Sequence, residues 1–386
     1  MSSYIATGLD IGTASIRVAV CEIKPNHKPK VLALASRPSR GLRRGYILQF
    51  DEAVESIKET IKEAERQSGL KIKKVYAGIG GINLESKAVD GSIILPQADQ
   101  EIKEVDIRKA IEASTANLPD AINKTVIHHI PIGFKVDSKK IMGRPEGIYG
   151  SKLEAKTVLV YSSSHHLKDL ITAIETAGLQ IEDIIASPLA AGYAVLNKIQ
   201  KNAGCVLVNI GSQTTSIVVF EEGIPVSLQV FPIGSTDITN DIALGFKIPL
   251  EDAERIKLGE SDSNSPKKKL EEIIEARLSD IFEFIENHLK KMGRNGLLPA
   301  GVIMTGGGSG IDNMEKLAMQ YFDLPAQIAL PTVSANSRNQ ITDPAWSVAY
   351  GLCLFSQEAD GEESMGIKIA KNTGLNIVKW LKELMP

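Results

Sequence analysis

Apolar positions along this chain follow two periods. Residues 4–11 form a short apolar run ending in Asp10-Ile11-Gly12-Thr13, and residues 15–23 resume with Ile16, Val18 and Val20 on one face and Arg17, Ala19 and Cys21 on the other. Alternation on both sides of a small-residue turn predicts a β-hairpin. In residues 51–68 the period lengthens. Val54, Ile57, Ile61 and Ala64 form a stripe, Asp51 is the expected N-cap and Gly69 the stop, which predicts an amphipathic helix. Residues 167–177 predict a second helix ended by Gly178, and residues 267–292 a long charged one with Leu270, Ile273, Ile274, Leu278, Ile281, Ile285 and Leu289 on one face.

The opening pattern returns about 200 residues later. Residues 205–210 read as a strand, Gly211-Ser212-Gln213-Thr214 as a turn and residues 215–220 as another strand. Two copies of one device at this spacing predict two related halves around a shared cleft. A third glycine-terminated strand, 301–305, runs through Gly306-Gly307-Gly308-Ser309-Gly310 into a helix over 312–322. Between the halves the texture changes: strand-like 89–95, helical 105–117, strand-like 125–132 and 157–161, with a polar stretch rich in Gly and Lys at 137–156. This is enough for a small α+β module inserted into the first half.

Composition narrows the class. The 386 residues are 43% hydrophobic and 24% charged, with a net charge of −3, ordinary for a globular protein. No basic stripe points to nucleic acid. The N-terminus lacks a charged-then-apolar leader, and no run approaches the ~20 apolar residues of a membrane span. Cys21, Cys205 and Cys353 each sit in an apolar run and are expected as buried free thiols in a reducing cytosol.

The turns carry the candidate chemistry. A strand that turns on glycine lets the backbone approach an anion closely, and successive N–H groups make a concave site for phosphate oxygens. Thr13, Ser15, Ser212, Gln213 and Thr214 add hydrogen bonds, and Asp10 stands where a carboxylate can hold Mg²⁺ through its waters. The Gly306–Gly310 segment opens a helix whose N-terminal N–H groups favour polar or anionic groups. A bound nucleotide is expected.

With these residues in place the chain resembles the actin-like ATPase superfamily, which also holds sugar kinases and the seventy-kilodalton heat-shock chaperones. Asp10, Gly12, Thr13, Ala14 and Ser15 look like its first phosphate motif, and Asn209, Gly211, Ser212, Gln213 and Thr214 its second. Residues 305–311, with Gly306, Gly307, Gly308 and Ser309, look like its adenosine motif, and residues 184–196 and 343–355 its two connecting helices. Within the superfamily the chain is most similar to the FtsA family of bacterial cell-division proteins. That likeness rests on the position of the insert, with His128-His129-Ile130-Pro131 and Lys152-Leu153-Glu154-Ala155, on Phe231-Pro232-Ile233-Gly234 followed by Ile238-Thr239-Asn240-Asp241-Ile242-Ala243, and on the basic tail.

The resemblance implies an α/β actin-like fold. Residues 1–81 and 161–195 form the first half, interrupted by an FtsA-type subdomain at 82–160. Residues 196–235 and 299–342 form the second, with a small subdomain at 236–298, a second connecting helix at 343–355, a linker at 356–364 and the tail at 365–386. It implies ATP and Mg²⁺ as cofactors, with Gly234, Glu254 and Lys257 also at the nucleotide. Implied partners are the C-terminal tail of the tubulin-like protein FtsZ, near Arg277, further copies of the chain in filaments, anionic lipids, and other division proteins through the insert. The location implied is the cytoplasmic face of the membrane at the division site. Two positions depart from the active hydrolases: Asn209 stands where the second phosphate motif usually carries Asp, and Ser187 precedes Pro188 where Glu or Gln usually orients water. Slow or absent turnover is therefore expected. A sugar kinase would need an Asp over an acceptor hydroxyl, and none stands out; PilM, a pilus-assembly relative with a similar insert, is not expected to carry the tail.

In that tail Leu375, Ile377, Val378, Leu381, Leu384 and Met385 recur at helical spacing, with Trp380 at one edge and Lys368, Lys371, Lys379 and Lys382 on the polar side. Thirteen residues, 373–385, span ~20 Å as a helix, too short to cross the ~30 Å apolar core. Such a helix lies in the interface with its lysines near anionic headgroups, as a reversible anchor that avidity in a filament would strengthen.

Overall fold

A computed structural model describes residues 3–24, 27–260, 267–333 and 341–360, with side chains to Gln357. The expected tail at 365–386, with every membrane residue named above, lies outside them. The first half opens with β1 (Tyr4–Ile11), β2 (Ser15–Ile23) and β3 (Lys30–Pro38), followed by the short hairpin β4 (Leu42–Arg43) and β5 (Tyr46–Ile47), helix α1 (Phe50–Ser68) and β6 (Lys74–Ile79). The N-cap of α1 is Gln49, not Asp51. Asp51 and Glu52 instead occupy the first turn, where acidic side chains offset the helix dipole. At the other end Gly69 adopts φ 72° and its N–H closes on Glu65, as a left-handed C-terminal stop does.

The insert follows as β7 (Glu85–Ile94), β8 (Gln100–Glu101), α2 (Glu104–Ala113), β9 (Lys124–Val136), β10 (Lys139–Ile141), β11 (Tyr149–Gly150) and β12 (Lys152–Ser163). Its main sheet has the order β10-β9-β12-β7 and a small core of its own around Ile107, Ile111, Phe134 and Leu153. The polar stretch at 137–156 thus contains strands. The insert also touches the second half, where the Ser86 hydroxyl accepts from Leu228 N–H at 2.7 Å and donates to its carbonyl at 3.1 Å.

The first half resumes with α3 (Ser164–Thr176), β13 (Gln180–Ala186) and α4 (Ser187–Val195). The first connecting helix therefore begins at Ser187; residues 184–186, rich in Ile, finish a parallel strand. The second half comprises α5 (Lys198–Ala203), β14 (Cys205–Ile210), β15 (Thr215–Glu221), β16 (Ile224–Phe231), α6 (Ser235–Phe246), α7 (Leu250–Lys257), α8 (Lys267–Met292), β17 (Val302–Thr305), α9 (Met314–Phe322) and β18 (Ala326–Ile328). A 3₁₀ turn at Pro344–Trp346 then leads into α10 (Ser347–Asp360). Helix α10 runs into the segment expected as linker, because Gln357-Glu358-Ala359 are good helix formers despite their polarity.

The internal repeat is a repeat of topology. One sheet has the order β3-β2-β1-β6-β13 and the other β16-β15-β14-β17-β18, with the same antiparallel and parallel pairings at every step. Strands β1 and β14 are near-continuous apolar runs because both faces of each sheet are covered. Two large apolar cores result, one around Leu9, Ile57, Ile79 and Ile185 and one around Val208, Ile238, Phe282 and Met304. Helix α8 contributes Leu278, Ile281, Phe282, Ile285 and Leu289 to the second core, a stripe at helical spacing. The three cysteines are free and buried, and among the described residues no helix is long and apolar enough to cross a membrane.

Candidate functional site

The two hairpin turns are built alike. A Cβ on Gly12 would lie 2.8 Å from the carbonyl of Ser15, and one on Gly211 would lie 2.9 Å from that of Thr214. Only glycine lets either turn close this tightly. Strands β1 and β14 carry the turns to opposite walls of one cavity of about 510 Å³. Asp10, Gly12, Thr13, Ala14 and Ser15 line it from the first half, and Asn209, Gly211, Ser212 and Thr214 from the second.

Two further glycine turns complete the walls. Strand β17 ends in Gly306-Gly307-Gly308, all on the cavity, and its counterpart β6 ends in Gly80-Gly81, also on the cavity. The second pair was not recognised in the sequence, although strand-then-glycine, the feature that marked 301–306, also describes 74–81. Gly306 has φ 90°, and a Cβ there would fall on Asn209 Oδ1 and 2.6 Å from the carbonyl of Ile210. The glycine-rich run forms a 3₁₀ turn at Gly307–Ser309 rather than the first turn of a long helix, and α9 starts only at Met314.

Glu254 and Lys257 project from α7 into the same cavity. Lys257 Nζ lies 2.8 Å from Glu254 Oε2 and donates to Thr239 Oγ1 at 3.0 Å. The lysine side chain is only 6% exposed, whereas Glu254 is 44% exposed and remains open to a ligand. Three expected residues are not on the cavity wall. Gly234 donates its N–H to Asp237 at 2.8 Å, and Ser309 is buried with its hydroxyl on the Gly306 carbonyl. Gln213 accepts from Arg44 N–H at 2.9 Å. Arg17, Gly45 and Thr236 do line the cavity, but no local pattern singled them out.

The electrostatics suit an anion accompanied by a cation. Burial lifts the Asp10 carboxyl from its ordinary value to about 6, against the pull of Arg17, its cross-strand neighbour. Among the described residues Asp10 accepts no hydrogen bond and the buried Ser15 hydroxyl has no partner. A divalent cation would favour the ionised Asp10 carboxylate against the cost of its burial, and phosphate oxygens would satisfy Ser15. No group of three or more His, Cys, Asp or Glu is placed to hold a metal among the described residues, so the cation would share Asp10 with oxygens of the ligand. Ser187 and Pro188, which open α4 next to Gly78 of β6, also line the cavity. The serine offers a hydroxyl but neither the carboxylate nor the amide that would orient a water.

Arg277 lies on α8, away from the cavity. Its Nε and a terminal nitrogen grip Asp241 at 2.6 and 3.0 Å, and Asp280 lies 3.1 Å away. Its guanidinium is thus already neutralised within the small subdomain, a pairing the sequence spacing did not reveal.

Comparison with known proteins agrees with this geometry. The family model described as "Cell division protein FtsA" matches residues 206–351, and that of the "SHS2 domain inserted in FTSA" matches residues 81–161. Cell division protein FtsA of Bacillus subtilis is 31% identical over 378 residues, covering 92% of this chain and 84% of the relative. That of Pseudomonas aeruginosa is 29% identical over 384 residues, covering 93% and 91%. Among solved structures, the fold resembles a PilM–PilN type IV pilus biogenesis complex (TM-score 0.68, 19% identity, 91% of this chain and 98% of that one). It also resembles MreB5 of Spiroplasma citri bound to ADP (TM-score 0.53, 13% identity, 97% and 98%). Fold, insert and sequence agree, and the chain belongs to the FtsA family of cell-division proteins.

Proposed function

We propose that this protein binds ATP with Mg²⁺ between its two halves and, so loaded, polymerises on the inner membrane surface and tethers FtsZ there. The observation that carries the nucleotide reading is the meeting of both glycine turns on one cavity, with an unpartnered Ser15 hydroxyl and a carboxyl, Asp10, that burial raises to about 6. Relatives by fold support it: MreB5 of Spiroplasma citri was seen with ADP and with AMPPNP. Lys257 and Glu254 would hold the adenosine end, and Asp10 the cation that offsets phosphate charge.

Turnover is slow in this reading, because Asn209 cannot act as a carboxylate and Ser187 is too short to position water. Calorimetry of the full chain with Mg-ATP should show uptake at micromolar concentration, and phosphate release should stay well below one per second. Release at several per second would sink the slow-turnover reading, and no uptake would sink the nucleotide reading itself.

The membrane reading rests on the tail at 365–386. Co-sedimentation with vesicles containing anionic lipid is expected for the full chain and is expected to be lost when those residues are deleted. The FtsZ reading puts the partner's C-terminal tail on the 236–298 subdomain. There Arg277 contributes by exchanging Asp241 or Asp280 for the partner's carboxylate. Arg277→Ala is expected to weaken binding of an FtsZ tail peptide about 5-fold, since an exchanged charged hydrogen bond nets ~1 kcal/mol. An unchanged affinity would remove Arg277 from the contact.

A further inference from the structure

Gln213 sits in the second phosphate turn yet does not face the cavity. Its side-chain oxygen instead accepts the N–H of Arg44, at the tip of the β4–β5 hairpin of the other half, at 2.9 Å. The next amide in that tip, Gly45 N–H, donates to Thr13 Oγ1 in the first phosphate turn, also at 2.9 Å. Two successive backbone amides are thus fastened to the two phosphate turns, one in each half of the molecule.

The tip is fixed on the first half. Arg44 and Gly45 both have left-handed φ, 50° and 82°, as a two-residue hairpin turn of the type that matches strand twist requires. Arginine is uncommon in that conformation. Gly45 packs so closely on Gly81 that a Cβ would approach its Cα to 2.6 Å. Beside it Tyr46 stacks on His166, ring centroids 4.3 Å apart, and His166 Nε2 lies 3.0 Å from the Gly80 carbonyl. Relative motion of the halves at this point therefore falls on the Gln213–Arg44 bond.

We infer that Gln213 is a positioning residue that latches the phosphate end of the cleft shut, by bonding to the Arg44 amide, and so sets how fast a nucleoside triphosphate enters and leaves. This rests on the nucleotide reading above. The latch acts on access, whereas a direct phosphate ligand would act on exit alone. One bond of this kind nets ~0.5–1.5 kcal/mol, which corresponds to about 2- to 10-fold in rate.

The test is stopped-flow fluorescence of the full chain with a methylanthraniloyl derivative of ATP and Mg²⁺, comparing wild type with Gln213→Ala. Entry and exit should both accelerate about 2- to 10-fold. Gln213→Asn, which keeps the amide but is one methylene short of Arg44, should behave the same, with the thermal midpoint of both variants lowered by no more than a few degrees. Faster exit with unaltered entry would overturn the latch and make Gln213 a phosphate ligand. Unaltered rates in both directions would overturn it as well. Absence of uptake by the wild-type chain would show a different failure, that of the nucleotide reading on which the latch depends.

Discussion

Gly351→Ala is expected to destabilise the protein by about 3 kcal/mol, read as a fall in the denaturation midpoint in urea. Helix α10 crosses α4 at this residue, and an added Cβ would overlap the carbonyl of Ala190 and come within 2.5 Å of its carbon. The neighbour is backbone, which cannot rotate away as a side-chain tip could. The two helices must separate, and overpacking of that kind costs ~1–3 kcal/mol, at the upper end when both partners are main chain. Gly310→Ala gives the contrast. Its φ is −78° and its Cβ would meet open space, so its midpoint should stay within the change expected of ~0.5 kcal/mol. Equal losses at the two positions would refute the crossing as the cause.

Asp10→Asn is expected to weaken Mg-ATP binding about 10- to 100-fold, in line with ~1.5–3 kcal/mol for an interaction of a charged group. The pH dependence identifies the cause. The folded carboxyl is raised to about 6, so between its ordinary value and about 6 the folded, ligand-free protein holds a proton that the unfolded chain does not. Stability from this group therefore falls as pH rises through that window. Cation-assisted binding needs the ionised form and has the opposite slope. Affinity should climb between pH 5 and 6.5 and then level. Titration calorimetry at several pH values measures the binding slope and urea denaturation of the ligand-free protein the stability slope, and the difference between wild type and Asp10→Asn removes the nucleotide's own titration. A slope that survives the substitution would place the proton elsewhere.

What the sequence made legible follows from how local its causes are. Both hairpins, the long α8 stripe and the glycine turns depend on neighbours a few residues away, and residues 267–292 form a helix over the span that their spacing predicts. Strands β3, β6, β13 and β16 were not singled out, because their identity depends on partners in the sheet. Gly80-Gly81 escaped because the repeat was read on the hairpins alone, while the topology extends it to the parallel strands beside them. The side chains of Gln213 and Arg277 belong to a third class. Each was correctly placed on its element, but its partner, Arg44 or Asp241, is brought near only by the fold.

Helix α10 has one more property. Its N-terminal end supplies Val348 to the cavity floor, and at its other end Tyr4 bonds to Ser356 while Gln357 donates to the carbonyls of Lys24 and His27. Fourteen helical residues make a stiff strut of about 21 Å. Tension applied to whatever follows Asp360 would thus be met first by the clasp of Ser356 and Gln357 on the first half, and only through the strut by the ligand.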